Sequence, residues 1–277
     1  MAASAKTLTL ENTKLTGEWT VVLPRRGKHR KAIPKLKMPE QPEAWAPSDL
    51  ESDHRRESKL MQKMLICLKK LESSQFYQSF LDQIQTPNIL DSLLRILGSE
   101  LKMQMVIYGI GSIESYESPR LQLSLAILMK RKFSWIGDVE VFDPIVSATE
   151  SRILQSLGCS VLSVNEQGRR QALKPTMFFM PHCEAKLYDN LLQANWKVDL
   201  LKNIALFGNS FMAYEKFVSD FKNSRVVDSA THILAIQRFT DEIKINTVSD
   251  DYFGAFNDSS WHFFIPESER QLQLGNL

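Results

Sequence analysis

The run Met103-Gln-Met-Val-Ile-Tyr108 is short and apolar, and it stops on Gly109-Ile110-Gly111-Ser112, two glycines one residue apart. A run of this kind reads as a buried strand ending where the backbone must turn sharply or come close to something. Three similar runs follow: Val139 to Phe142 before Asp143-Pro144, Thr176 to Met180 before Pro181-His182-Cys183, and Ile204 to Phe207 before Gly208-Asn209-Ser210. Helices are expected between them, from about Pro119 to Met129, up to Gly158, from Glu184 to Ala194 and from Phe211 to Phe221. Strands alternating with helices of this length need crossover connections. The expected fold is therefore α/β and Rossmann-like, a mostly parallel sheet with helices on both faces. In such a sheet the four endings share one carboxyl edge, where open α/β folds place their ligands. That makes Tyr108, Gly109, Gly111, Ser112, Asp143, His182, Cys183, Asn209 and Ser210 the candidate ligand cleft.

The rest of the chain is organised about this unit. Residues 1–52 combine lysine and arginine with Pro24, Pro34, Pro39, Pro42 and Pro47, a composition that resists packing and reads as a disordered basic arm. Within it, Gly17-Glu-Trp-Thr-Val-Val-Leu23 is β-prone and apolar, suited to a sheet edge or a partner. Arg25, Arg26, Lys28, Arg30 and Lys31 begin a basic run reaching Lys37, expected to act as a nuclear import arm. Residues 53–98 carry apolar side chains at spacings of three and four, predicting one helix over Asp53 to Ile84 and a second from Asn88 to Gly98. Residues 99–267 form the α/β domain and 268–277 a tail. Near the end, Thr231 to Ile236 reads as strand or helix start, and 261–265 as a final strand, antiparallel at the edge.

Charge and cysteine usage narrow the function classes. The net charge is +2, but the basic run alone holds seven cations and no acid, so the remainder is net negative. A body of that sign lacks the footprint of a nucleic-acid-binding domain, and direct nucleic-acid binding is not expected. No apolar run approaches the ~18 residues that cross a bilayer, so no membrane association is expected. The N-terminus lacks the apolar stretch of a secretory signal, which points to an intracellular protein. The three cysteines, Cys67, Cys159 and Cys183, are sparse and widely spaced, fitting reduced thiols rather than a disulfide framework or a zinc site. No metal site is expected, and no cofactor is identified.

The motifs do not spell a reaction. Gly109-Ile110-Gly111 resembles the start of a dinucleotide fingerprint, yet Glu114 stands where the third glycine belongs and adds negative charge to the loop. Asp143 ends the next strand, where a ribose-binding acid would sit. His182 and Cys183 are adjacent and point apart, a poor nucleophile and base pair. Gly208-Asn209-Ser210-Phe211 lacks the second glycine of a nucleophile elbow and reads as a helix cap.

Taken in order, Tyr108-Gly-Ile-Gly-Ser-Ile113, the Gln122-Leu-Ser-Leu-Ala126 helix, Val141-Phe-Asp-Pro144, Met180-Pro-His-Cys183, Asn195-Trp196, Gly208-Asn-Ser-Phe211 and Phe256-Asn-Asp-Ser-Ser-Trp-His-Phe-Phe264 resemble the family named for sensitivity to red light reduced, over about residues 95–267. The arm with Gly17-Glu-Trp-Thr-Val-Val resembles plant members of that family. The resemblance implies a regulator of phytochrome B signalling, circadian clock output and flowering time, present in nucleus and cytoplasm and acting through protein partners. Animal relatives have been connected with haem and with clock gene expression. The alternative expectation is a transferase-like enzyme or a sensor, binding a nucleotide, an adenosylmethionine-like ligand or haem at the carboxyl edge. Convergence of Asp143, His182 and Asn209 on an open cleft would favour the alternative; side chains engaged in caps and internal bonds suit an interaction module.

Overall fold

The computed structural model describes residues 43–47, 53–220, 230–246 and 250–273. Of the basic arm, residues 1–42 and 48–52, including Gly17 to Leu23 and Arg25 to Lys37, lie outside them, as do the last four residues of the tail.

In chain order the elements are β1 (Glu43–Ala44), α1 (His54–Glu72), α2 (Gln75–Ile84), α3 (Pro87–Leu97), β2 (Met103–Tyr108), α4 (Glu117–Lys132), β3 (Ile136–Phe142), α5 (Ala148–Ser156), β4 (Cys159–Val161), β5 (Val164–Asn165), β6 (Thr176–Met180), α6 (Ala185–Ala194), α7 (Val198–Leu201), β7 (Ile204–Asn209), α8 (Phe211–Asp220), α9 (Thr231–Ile236), β8 (Thr240–Lys244), α10 (Asp250–Phe256) and β9 (Ser259–Phe264). Seven strands form one sheet in the order β4-β3-β2-β6-β7-β9-β8. From β4 to β7 every neighbour is parallel, and β9 pairs antiparallel with both β7 and β8. Numbered by their place in the chain, the five parallel strands run 3-2-1-4-5, the Rossmann order, and the direction of winding reverses between β2 and β6.

Period-two alternation sorts the side chains into two cores. Met103, Met105 and Ile107 of β2, Met177 and Phe179 of β6, Phe207 of β7, and Trp261 and Phe263 of β9 face one cluster, built with α1 to α5 and α10. Val106, Tyr108, Phe178, Met180, Leu206 and Phe264 face the other, covered by α6, α7 and α9 and by Phe211. Both faces are dry, as parallel sheets require.

Three details differ from the sequence reading. The segment expected as one helix from Asp53 to Ile84 breaks at Ser73-Ser74, where Ser73 caps α1 and the Ser74 hydroxyl accepts the Tyr77 N–H to start α2. The break lets α1 lie on α4 and α5 while the Phe76 and Phe80 rings of α2 reach Phe256 and Trp261. The ambiguous Thr231 to Ile236 is helix α9. The last strand is antiparallel, but it lies inside the sheet, because β8 covers its outer side; β8 reads Thr-Asp-Glu-Ile-Lys and carries no apolar run to betray it.

His262 lies fully buried on β9, its ring 4.2 Å from that of Phe211, with its Nδ1 3.4 Å from the Leu206 carbonyl oxygen and its Nε2 3.8 Å from the Glu242 carboxylate on β8. Burial pulls its pKa down to about 4, against the opposing pull of Glu242. Unfolded, the same imidazole titrates near ~6.5. Between those values the unfolded chain holds a proton that the folded chain lacks, so this group's contribution to stability falls as pH drops through the interval. Urea unfolding at pH 7 and pH 4.5 should show a loss on the order of 2 kcal/mol from this group, missing in His262→Gln. Equal pH slopes in the two proteins would refute the assignment.

Candidate functional site

The carboxyl edge brings the expected residues together, and most of them are bonded to one another. Parallel strands end in backbone groups that no further ladder satisfies, and a buried group of this kind must find a partner. Asp143, just past β3, accepts the Gly111 N–H on Oδ2 (2.8 Å) and the Ile145 N–H on Oδ1 (3.0 Å). It thereby ties the loop after β2 to the tip of β3. Ser112 donates to Glu150 Oε1 (2.7 Å), and the same oxygen accepts the Glu114 N–H (2.9 Å). Glu150, only 2% exposed, also closes the capping box of α5 with Ser147.

The loop charge is balanced from outside. Arg56 on α1 reaches Glu114 through two nitrogens, with Nε 2.6 Å from Oε1, and Lys63 on the same helix donates to the Glu114 carbonyl oxygen (3.1 Å). Arg120 of α4 donates to the carbonyls of Ile113 and Glu114. The acid that stands in place of a third glycine is thus the anchor by which the N-terminal helix holds the loop.

Gly109 and Cys183 meet where the winding reverses. Gly109 has φ +65°, and a Cβ there would lie 2.6 Å from Cys183 Sγ, which itself donates to the Tyr108 carbonyl oxygen (3.2 Å). Burial pushes the Cys183 thiol well above the usual range, so it is no thiolate nucleophile at neutral pH. Tyr108 turns its ring into the second core, and its hydroxyl donates to Glu166, which is bonded in turn to Arg170. Burial, the Glu166 bond and the Glu166 charge all raise the Tyr108 pKa.

The tips of β6 and β7 are stitched by two side chains. Asn209 accepts the His182 N–H on its Oδ1 (2.6 Å) and donates to the Cys183 carbonyl oxygen (3.0 Å). The Tyr188 hydroxyl donates to the carbonyl of Met180 and accepts the Asn209 N–H (2.9 Å). Ser210 caps α8 by accepting the Ala213 N–H (3.2 Å). His182 has φ +57°, uncommon for a residue with a Cβ. Its Nε2 faces the Asn257 carbonyl oxygen (3.2 Å) and its Nδ1 faces the Gln122 amide nitrogen (3.4 Å). These partners select the neutral tautomer with the proton on Nε2. Solvent reaches the residue, yet the ring is packed closely enough that desolvation lowers its pKa.

Glu150, Tyr188, Gln122 and Arg56 are residues of the edge that the candidate ligand cleft did not include. Glu150 carried a readable signal, the Ser147-to-Glu150 capping-box spacing. Tyr188 to Asn209, Arg56 to Glu114 and Gln122 to His182 act across 21, 58 and 60 residues of chain, which no local pattern announces. While the polar groups turn inward, large apolar side chains turn outward on the segments of the same edge: Tyr116 is 66% exposed, Ile145 62%, Met212 62% and Phe253 57%. Among the described residues no three His, Cys, Asp or Glu side chains are grouped to hold a metal ion, and no helix is long and apolar enough to cross a membrane.

Fold and edge together define a Rossmann-like α/β protein whose carboxyl rim is knitted shut by its own side chains. The SRR1 domain model matches residues 68–263, and the chain belongs to that family. It is 58% identical over 270 residues to Protein SENSITIVITY TO RED LIGHT REDUCED 1 of Arabidopsis thaliana, covering 96% of this chain and 98% of that one. It is 34% identical to an SRR1-like protein of Mus musculus, over 72% of this chain and 86% of the relative. Among solved structures, the plantazolicin methyltransferase BpumL in complex with SAH aligns over 76% of this chain and 98% of that one, at 11% identity and a TM-score of 0.31.

The contact between Gly109 and Cys183 makes a two-residue test. Gly109→Ala should destabilise the fold by about 2–4 kcal/mol, combining the left-handed backbone cost with overpacking. Cys183→Ala in the same chain should recover the overpacking share, leaving about 1–2 kcal/mol for the backbone. Denaturant unfolding of the two single variants and the double variant measures the coupling, and strict additivity would show that the two residues do not press on each other.

Proposed function

We propose that this chain is a regulatory protein of red-light signalling through phytochrome B, of circadian clock output and of flowering time, acting through protein partners in nucleus and cytoplasm. One observation carries the reading: similarity at 58% identity runs over nearly the full length of both this chain and the Arabidopsis protein named for red-light sensitivity. The carboxyl edge supports the same reading. Its buried polar side chains are engaged in holding strand tips, and among the side chains it exposes are the apolar Tyr116, Ile145, Met212 and Phe253. Apolar side chains displayed on bonded loops suit contact with another protein.

Expression of this chain in Arabidopsis plants lacking the 58% identical relative should restore the red-light response of seedling growth. Seedlings that stay as insensitive as the parent line would overturn the proposal.

Nuclear entry is assigned to Arg25, Arg26, Lys28, Arg30 and Lys31. Replacing all five with alanine in a fluorescently tagged full chain should lower the nuclear-to-cytoplasmic ratio at least about twofold, by analogy with other basic import clusters. An unchanged ratio would remove that role from the run.

A further inference from the structure

Residues 43–47 lie beside the sheet and belong to none of its seven strands. They are held by two different kinds of contact. The backbone of β1 runs antiparallel to β5, pairing Glu43 with Asn165 and Ala44 with Val164, and the Trp45 N–H donates to the Ser163 carbonyl oxygen (2.7 Å). The Trp45 side chain goes to the tip of β3: its ring meets Phe142 edge-on, with centroids 5.4 Å apart at 77°, and its Nε1–H donates to the Pro144 carbonyl oxygen (3.3 Å). A main-chain ladder together with a side-chain pocket is how sheet edges recognise extended peptides. Here the pocket also carries an acceptor placed for an indole N–H. Phenylalanine has no donor to offer it, and tyrosine carries its donor at the far end of the ring.

The hold is small. The ladder is two residues long, Ala44 and Ala46 are exposed, and Trp45 is only partly buried. Segments with so few buried contacts open at a free energy well below that of the core. The walls of the slot lie outside the segment, in the tip of β3, in the loop between β4 and β5, and in β5, whose ladder partner is β1. When the segment leaves, the Ser163 carbonyl and the β5 edge are exposed as an unpaired strand, which favours any strand that can replace it.

We propose that Phe142, Pro144, Ser163, Val164 and Asn165 form a docking slot for an extended peptide bearing a tryptophan, which residues 43–47 occupy in cis until a partner strand displaces them. Because cis and trans occupants make the same contacts, the exchange depends on local concentration. The cis segment is favoured by an effective concentration in the mM range, and a partner strand displaces it through longer pairing or through its own tethering nearby. The slot stands on its own geometry and does not depend on the role in light signalling.

The test uses the full-length chain and a fluorescein-labelled synthetic peptide with the sequence Gln41-Pro-Glu-Ala-Trp-Ala-Pro-Ser-Asp49. A second peptide carries alanine in place of tryptophan. Fluorescence anisotropy should show saturable binding of the first peptide to Trp45→Ala, at least about tenfold tighter than its binding to the unsubstituted chain, where the cis segment competes. The alanine peptide should bind the variant at least about tenfold more weakly than the tryptophan peptide. A paired Ala44→Cys/Val164→Cys variant, whose positions face each other across the ladder, should lose residual peptide binding when oxidised and regain it on reduction. Should Trp45→Ala fail to fold, Trp45→Leu keeps apolar volume in the slot without the N–H donor, and it should still bind the tryptophan peptide more tightly than the unsubstituted chain does. The proposal is overturned if a folded variant binds neither peptide, binds both equally, or binds no better than the unsubstituted chain.

Discussion

The dryness of the central strands on both faces governs the rest of this molecule. Residues such as Met105, Ile107, Phe178, Phe179 and Leu206 fill the middle of the parallel strands with apolar side chains, so the backbone groups that the ladders leave unsatisfied collect at the strand ends. At the carboxyl end the strands feed directly into loops, and the side chains of Asp143, Glu150, Tyr188 and Asn209 supply the missing partners. The conspicuous polar residues at the tips are therefore answers to a backbone problem that the parallel sheet creates. Close approach follows from the same demand. Gly109 and Gly208 lack a Cβ because Cys183 and Tyr188 occupy the space one would need, at 2.6 and 2.7 Å.

This explains why the loop after β2 is built differently from a phosphate cradle. A cradle keeps its backbone N–H groups pointed at empty space for an anion. Here the Gly111 N–H is given to Asp143 and the Glu114 N–H to Glu150, two carboxylates of the same chain that stand where a ligand's negative charge would have to go. Arg56 then neutralises the Glu114 side chain from α1, so the N-terminal helices are part of the loop's support. The SRR1 match, beginning at Leu68 within α1, takes in part of that helical layer.

Four of the five parallel strands, β2, β3, β6 and β7, were legible because each ends in a compact apolar run bounded by glycine, proline or a small polar residue, whereas β4 is only Cys159-Ser160-Val161 with Ser160 exposed. The turn at Ser73-Ser74 had a signal in the spacing: the stripe of Leu60, Met64, Leu68 and Leu71 does not continue at steps of three or four into Phe76, Tyr77, Phe80 and Ile84, and the serine hydroxyls mark the stop. β8 was hidden because it forms the outer edge of the sheet, and a strand reading Thr-Asp-Glu-Ile-Lys has the charged pattern that protects an edge. Its presence moves β9 inward, which accounts for the complete burial of Ser259 through His262 better than an edge position would. At the site, the gathering of tips was readable from strand direction alone. The bonds among them were not, because Tyr188 to Asn209 and Arg56 to Glu114 depend on how distant elements pack.

A rim held in this way has a mechanical consequence. Each loop on the carboxyl edge is bonded to a neighbour: the β2 loop to β3 through Asp143, the β6 loop to β7 through Asn209, and the β6 loop to α4 and the end of α10 through His182, Gln122 and Asn257. Displacing one loop strands a buried donor or acceptor on the next, at about 1–3 kcal/mol for each group left unpaired. Hinged closure around a substrate needs loops that can exchange partners cheaply, whereas a binding surface gains from loops that cannot move, because less freedom is lost when a partner arrives. The same stiffness holds the β3 tip in place, so the position of the Pro144 carbonyl is set by the core and not by whichever strand lies against it.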